Sequence, residues 1–400
     1  MLELNLSLIG NVSTTLVRLI ENFQIQQGVR VRIRSLDWET AWHELVDWAL
    51  HTQGPDVSQV GSTWTGSLVA LNGLRPFTHA EVRELGGSAA FFPQIWQSVV
   101  LPNQPEAWAV PWSAFTFVLC YRRDLLEKAG IDESTAFLSL PALARTVEQL
   151  HAAGVQCPWL APVSAFHLGI LHMAASFVWG MGGDFVSPTG SRLTFTQPAA
   201  LEGLRAYFNL LRYLPPDAQR LDGVEAERYF TSGQAAMMMF GIDRPYEWLR
   251  RRSVAPAVLL HLGVTSMPGV PWLGGNSLVV WGDVQASSER ERAALALVRH
   301  LTSREAQGVY CQGVEVFLPT RPDVLDSLPL PDTSVTRAAI QSLQTGRSYR
   351  SLPAWGKLEH QFAEVLGLIG ADVTNGMGVD AALQRHLEPL ARRLQATFGR

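Results

Sequence analysis

The residues of this chain best suited to chemistry are aromatic and neutral rather than charged. There are 13 tryptophans in 400 residues. Many stand beside Gly, Pro, Ser or Asp in turn-like surroundings: Trp38, Trp64, Trp112, Trp179, Trp272 and Trp355. A flat indole next to short polar side chains suits a sugar ring, which has an apolar C–H face and a polar rim. Core packing is the competing reading of any one of them. The two readings diverge most at Trp64. It follows Gly61-Ser62-Thr63 at the end of a strand, where a bulky ring has little reason to point inward. The sequence therefore favours stacking on a solute, with Trp64 exposed.

Catalytic patterns are weaker. His43-Glu44 opens like the zinc-protease helix H-E-x-x-H, but the fifth residue is Asp47. No G-x-S-x-G elbow and no P-loop occur. The stretch from Gly376 through Gly378 to Ala381 fits a degenerate G-x-G-x-x-A, but no strand precedes it. Asp243 and Glu247 are a carboxylate pair of the kind glycosidases use; four apart on a helix, such a pair is more often a solvated face. Cys120, Cys157 and Cys311 are widely spaced without C-x-x-C, which argues against a zinc site or a disulfide framework. Nothing calls for a metal or an organic cofactor.

Composition narrows the class. The chain is 47% hydrophobic and 17% charged, with a net charge of -4. These values describe a globular protein without the basic footprint of a nucleic-acid binder. No apolar run reaches the roughly 18 residues that span a membrane. The length exceeds one ordinary core, so two domains are the default. Residues Met1 to Leu8 alternate apolar and polar, as a strand does and a signal peptide does not. That leaves a cytoplasmic protein, or one whose export signal lies outside this chain.

The elements that must position these residues are clearest at the start. Leu4 to Ile9 reads as a strand. Ser13 or Thr14 caps a helix to about Gln27, closed by Gly28. Val29 to Arg34 alternates strictly as a second strand, with its arginines solvated. Trp38 to His51 is helical, Asp56 to Val60 is a strand, and Thr65 to Asn72 is a helix after the turn at Gly61. This β-α-β-α-β-α order implies a mainly parallel sheet. A strand ending in a polar, aromatic-bearing turn is where such sheets bind ligands. Further on, Phe166 to Val178 reads as a helix and Gln234 to Gly241 as a buried strand with core methionines. Three extended stretches, Ala107–Tyr121, Leu262–Gly269 and Val316–Arg321, read as links between two α/β halves. Three crossings make each half discontinuous and build a hinge, a known switching design.

With these residues in view, the chain resembles the family 1 extracellular solute-binding proteins of bacterial ABC sugar importers, related to maltose- and trehalose-binding proteins. The resemblance covers almost the whole chain. It is carried by Pro55-Asp56-Val57 through Gly61-Ser62-Thr63-Trp64, by Ala109-Val110-Pro111-Trp112 through Tyr121 to Ile131, and by Trp179-Gly180-Met181-Gly182-Gly183-Asp184. Phe230-Thr231-Ser232-Gly233-Gln234-Ala235-Ala236-Met237, Leu273-Gly274-Gly275-Asn276 and Leu318-Pro319-Thr320-Arg321 complete it.

The resemblance implies a two-lobed α/β periplasmic-binding-protein fold (type II-like), its discontinuous lobes joined by a three-segment hinge. Lobe 1 is expected at 1–111 and 269–316, lobe 2 at 112–268 and 317–400. It implies capture of a mono- or oligosaccharide in the interlobe cleft and delivery to ABC transporter permease subunits. The protein would be an extracytoplasmic monomer, periplasmic or lipid-anchored, with no cofactor, no enzymatic activity and no nucleic-acid partner. The ligand-contacting positions carried over are Asn11, Trp64, Trp112, Trp179, Gly241, Asp243, Trp272, Gly275, Asn276, Arg321 and Trp355. Two positions depart from the pattern. Phe115 stands where relatives often carry an aspartate, and Asp243 where many place a tryptophan. The alternatives are a sugar-active enzyme such as a glycosidase, and a binding protein for a charged solute, which would gather arginines or carboxylates at these turns.

Overall fold

In the computed structural model, residues 1–102, 104–163, 169–283, 287–312 and 318–398 are described. Seven strands occur among them: β1 (Glu3–Ile9), β2 (Arg30–Leu36), β3 (Val57–Gly61), β4 (Val110–Arg122), β5 (Met237–Gly241), β6 (Leu262–Ser266) and β7 (Leu273–Val280). The chain divides into two compact units. The first comprises Met1–Phe115, Leu273–Leu330 and Arg347–Lys357; the second comprises Thr116–Trp272, Pro331–Gly346 and Leu358–Arg400.

In the first unit the strand order is β2-β1-β3-β7-β4. The pairs β1–β2 and β1–β3 are parallel, whereas β3 and β7 run antiparallel. Helix α1 (Thr14–Gln27) is capped by the Ser13 hydroxyl, which accepts from the Leu16 N–H. Its buried stripe of Leu16, Leu19, Ile20 and Phe23 packs with Leu4, Leu6 and Leu8 of β1 and with Leu297, Val298 and Leu301. Helices α2 (Trp38–His51) and α3 (Thr65–Ala70) cover a second core, which holds Leu45, Val60, Leu68 and Trp281. The arginines of β2 lie outward, as its alternation requires.

Buried polar groups fix the register of this sheet. The Asp56 carboxylate is 4% exposed. It accepts the Asn5 N–H at 2.6 Å and the Arg290 guanidinium. Ser7 and the Trp281 indole both donate to the Ser58 hydroxyl, at 2.6 and 2.7 Å.

The second unit centres on the later part of β4. There β5 and β6 flank it, both antiparallel, with Phe117 opposite Gly241 and Val118 opposite Ser266. Met237, Met238 and Met239 are buried, as their apolar run requires. Helix Gly169–Gly180 is buried nearly all round. Residues 166–168, the expected start of that helix, lie outside the described residues, as do Val316 and Phe317 of the third expected link.

The chain passes between units five times, not three. Residues 318–330, expected in lobe 2, belong to the first unit. There Leu318 and Ala114 exchange backbone hydrogen bonds at 2.7 and 2.9 Å. Residues 347–357 join the same unit, held by the Leu273 N–H on the Arg347 carbonyl at 2.8 Å and the Gly356 N–H on the Ser67 hydroxyl at 3.1 Å. β4 runs unbroken for 13 residues with Pro111 as its second.

A buried ion cluster offers a test of the first unit. Arg75, with its side chain 6% exposed, donates to Glu81 and to Glu291 at 2.6 Å. Burial alone would raise the Glu81 carboxyl, but hydrogen bonds from Arg75 and Thr78 outweigh it, and the group sits below its ordinary range. A depressed carboxyl adds stability above its unfolded value, and that stability is lost as pH falls through the depressed one. Arg75→Met should therefore lose roughly 2–4 kcal/mol at neutral pH by stranding two carboxylates. It should also flatten the acid limb of the stability curve, read by urea unfolding between about pH 3 and pH 7.

Candidate functional site

In the first unit, several of the candidate side chains lie where β1 and β3 end and β7 begins. The antiparallel pairing sets Gly61 opposite Asn276. The Ser62 N–H donates to the Gly275 carbonyl at 3.0 Å. Gly275 has φ +135, and a Cβ there would meet the Ser113 carbonyl oxygen at 2.0 Å, so only glycine lets β7 approach β4 this closely. That approach lets the Asn276 side-chain amide donate to the Ser113 hydroxyl at 3.2 Å. Asn11 follows Gly10 at the end of β1 and is exposed. The segment carrying Trp355 is seated on α3: a Cβ on Gly66 would meet the Leu352 carbonyl oxygen at 2.5 Å.

Three buried oxygens here have no hydrogen-bond partner among the described residues: Thr65 Oγ1, Asn276 Oδ1 and Ser351 Oγ. Thr65 is 0% exposed, Ser351 1% and Asn276 6%. Buried polar atoms are nearly always satisfied, and those that are not need a cause. The Asn276 amide nitrogen is engaged by Ser113, while its oxygen is buried without a partner among the described residues.

Of the sequence-expected residues, Asn11, Trp64, Gly275, Asn276 and Trp355 come together at these strand ends. Trp64 does so in an unexpected orientation. It is 2% exposed and belongs to the core of the first unit, not to its surface. Its ring folds back over Gly61, and the rings of Trp38 and Trp42 lie 5.7 and 5.5 Å away. A turn without a Cβ at Gly61 leaves the space that a bulky ring fills, and burying it is worth more than exposing it.

Trp112 is likewise 1% exposed, stacked on Tyr310 with centroids 5.0 Å apart. Arg321 is engaged by Asp323 and the Leu85 carbonyl and lies over Phe91. The guanidinium holds the Asp323 carboxyl below its ordinary range.

The second unit has its own group. The Ile242 N–H, next to Gly241, donates to the Thr116 carbonyl at 3.0 Å. The Thr116 hydroxyl donates to the Trp272 carbonyl at 2.8 Å, and the Trp272 N–H to the Ser176 hydroxyl at 3.1 Å. The Trp272 ring stacks on His172 with centroids 4.0 Å apart and planes 8° from parallel, and Phe117 lies 5.7 Å away. His172 Nε2 is 3.3 Å from the buried Glu359 carboxylate. The Trp179 indole donates to Asp184 at 3.1 Å, tying its helix to the following loop. Asp243 opens the helix Asp243–Arg251. Its carboxyl is raised chiefly by desolvation, with Glu227 and Glu247 adding and Arg244 opposing.

Sequence reasoning did not place Ser113, His172 or Glu359 in these groups. His172 and Ser176 carried a signal, being the two polar side chains of an otherwise apolar helix at a spacing of four. Glu359 carried none. Among the described residues no group of three or more His, Cys, Asp or Glu could hold a metal.

The sequence profile for bacterial extracellular solute-binding proteins matches residues 18–339. The chain belongs to that family. A probable ABC transporter-binding protein of Deinococcus radiodurans is 25% identical over 295 residues, 66% of this chain and 65% of that protein. This chain thus spans just under two thirds of that relative. The diacetylchitobiose binding protein DasA of Streptomyces coelicolor is 22% identical over 384 residues, 92% of this chain and 83% of that one. Among solved structures, the sugar-binding protein MalE of Xanthomonas citri superposes with a TM-score of 0.81 at 20% identity, covering 99% of each chain. That likeness establishes the fold, an α/β periplasmic-binding-protein fold, and family membership places the chain outside the cytoplasm.

The orientation of Trp64 has a measurable consequence. Trp64→Ala should cost roughly 3–5 kcal/mol of stability, as loss of a core aromatic does, read as a fall in denaturant midpoint. An unchanged midpoint would return the ring to the surface.

Proposed function

We propose that this protein captures a neutral carbohydrate and delivers it to the permease of an ABC importer, acting as a monomer. The observation that carries this reading is the open acceptor of Asn276, buried at the strand ends of the first unit. A sugar hydroxyl is the donor such an atom lacks. The Asn276 amide and the Ser113 hydroxyl are neutral polar groups. Arg321, the cation expected among them, is already paired with Asp323. Amide and hydroxyl groups of this kind suit the donors and acceptors of a polyol. The second unit holds an aromatic group of its own in Trp272, Phe117 and His172. The names of the relatives agree: one binds diacetylchitobiose and another is a sugar-binding protein.

Binding fits better than hydrolysis. Asp243 and Glu247, the carboxylates that a glycosidase would need free, lie 3.5 and 3.4 Å from Arg244 on one helix surface. Neither is arranged to flank a glycosidic bond.

A thermal-shift screen of saccharides tests the reading, because a ligand that binds only the folded state raises its stability, by about 2.7 kcal/mol at a hundredfold excess over Kd. The wild type should respond to at least one sugar and to no amino acid or inorganic anion. Asn276→Ala should abolish that response. Its own stability should change by no more than about 1 kcal/mol, because the lost bond to Ser113 is offset by removal of an unsatisfied buried oxygen. An amino acid or phosphate that stabilises the protein while sugars do not would refute it.

A further inference from the structure

We infer that the first unit carries a second site, where β1 and β2 meet the turn after α2, that takes a small organic anion. A pocket of about 410 Å³ lies there. Asn5, Arg32, Arg34, Trp48 and Gln53 line it, and none of the residues lining it is acidic. β2 is the edge strand of its sheet and presents Arg30, Arg32 and Arg34 to solvent. Charge on an edge strand discourages pairing with a further strand. That accounts for the three arginines but not for how they are matched. Arg30 lies 3.9 Å from Glu3, and Arg34 binds Glu44. Arg32, between them, bonds to no other described side chain.

The parallel register sets Asn5 opposite Arg32, so their side chains share one face of the sheet. The main chain of Asn5 is already engaged: its N–H donates to the Asp56 carboxylate at 2.6 Å and its carbonyl accepts the Asp56 N–H at 3.0 Å. Its side-chain amide bonds to no other described residue, and neither does that of Gln53. The walls around these groups are fixed. The Arg34 guanidinium lies 4.9 Å from the centre of the Trp48 ring, and the Gln53 N–H donates to the Trp48 carbonyl at 3.1 Å. A Cβ on Gly54 would meet the Trp281 ring at 2.1 Å, so the turn is seated on the core. A guanidinium with its fork unspent, two amides and no acid together select an oxyanion, a carboxylate or a phosphate. The volume is that of a small-molecule pocket, and Trp48 and Ile33 give it apolar surface. The ligand therefore joins an oxyanion to an apolar body. Asn5 precedes Gly10 by five residues, roughly 17 Å along β1 at about 3.3 Å each. The site is thus separate from the strand ends, and the inference does not depend on the carbohydrate reading.

Ligand-observed NMR titration of the full chain decides it. Benzoate and phenyl phosphate serve as oxyanions with a body, benzyl alcohol as the neutral body and acetate as the bare oxyanion. The wild type should bind benzoate or phenyl phosphate about tenfold or more tighter than benzyl alcohol or acetate, and the tighter of the two names the oxyanion. Arg32→Gln should weaken that binding about tenfold or more, as loss of a hydrogen bond to a charged group does. Asn5→Ala, which keeps both main-chain bonds to Asp56, should weaken it severalfold. Arg30→Gln, two positions along the same edge, should leave it unchanged. Circular dichroism melts show that each variant is folded at the titration temperature; if Arg32→Gln is not, Asn5→Ala is the comparison. Neither aromatic anion bound, binding that survives Arg32→Gln, or an equal loss with Arg30→Gln overturns the inference.

Discussion

The antiparallel pairing of β3 with β7 is the constraint on which the first unit depends. It joins segments more than two hundred positions apart in sequence and sets Gly61 opposite Asn276. The pairing needs Gly275, whose backbone lies against Ser113 where no side chain fits. Because β7 starts where β1 and β3 end, one edge of the sheet collects Asn11, Ser62, Asn276 and the turn that leads into α3. Parallel strands alone would offer the loops after β1 and β3. The returning strand adds an amide from the far end of the chain.

That arrangement has an energetic cost. Leaving a buried polar atom unsatisfied costs about 1–3 kcal/mol, and three such oxygens sit near the same strand ends. Elsewhere in the unit the buried polar groups are matched, as the Asp56–Arg290 pair and the Ser7–Ser58–Trp281 set show. The unit satisfies the polar atoms that fix register and leaves these three buried oxygens without a partner among the described residues. Local departures from the rules of stability belong where function is. The second unit follows a different logic, in which a buried carboxylate, an imidazole and an indole are layered beside the end of β5.

Much of the fold was legible in the sequence, because it depends on local signals. The alternation of β1 and β2, the Ser13 cap, and the glycine after β3 each act within a few residues, and the structure has them where the periodicity puts them. For the candidate site, the positions along the chain were legible but the orientations of its side chains were not. Gly61-Ser62-Thr63-Trp64 stands at the end of β3 as its turn signals put it, yet Trp64 turns inward because Gly61 leaves space and Trp38 and Trp42 supply partners. Those partners lie on another helix and leave no mark near residue 64. Neither did the allocation of residues 347–357, which hangs on single hydrogen bonds to Leu273 and Ser67. The helix Trp355–Thr374 continues through the boundary between units without a break, so no loop betrays it. Arg321 is a motif residue whose guanidinium is paired with a neighbour two positions on.

The central claim is that the open acceptor of Asn276 is completed by a sugar. A crystal structure of the protein with the saccharide that stabilises it most tests this directly. The account requires a sugar hydroxyl within hydrogen-bond distance of Asn276 Oδ1. A saccharide seated elsewhere, with that oxygen untouched or satisfied by protein alone, would contradict it.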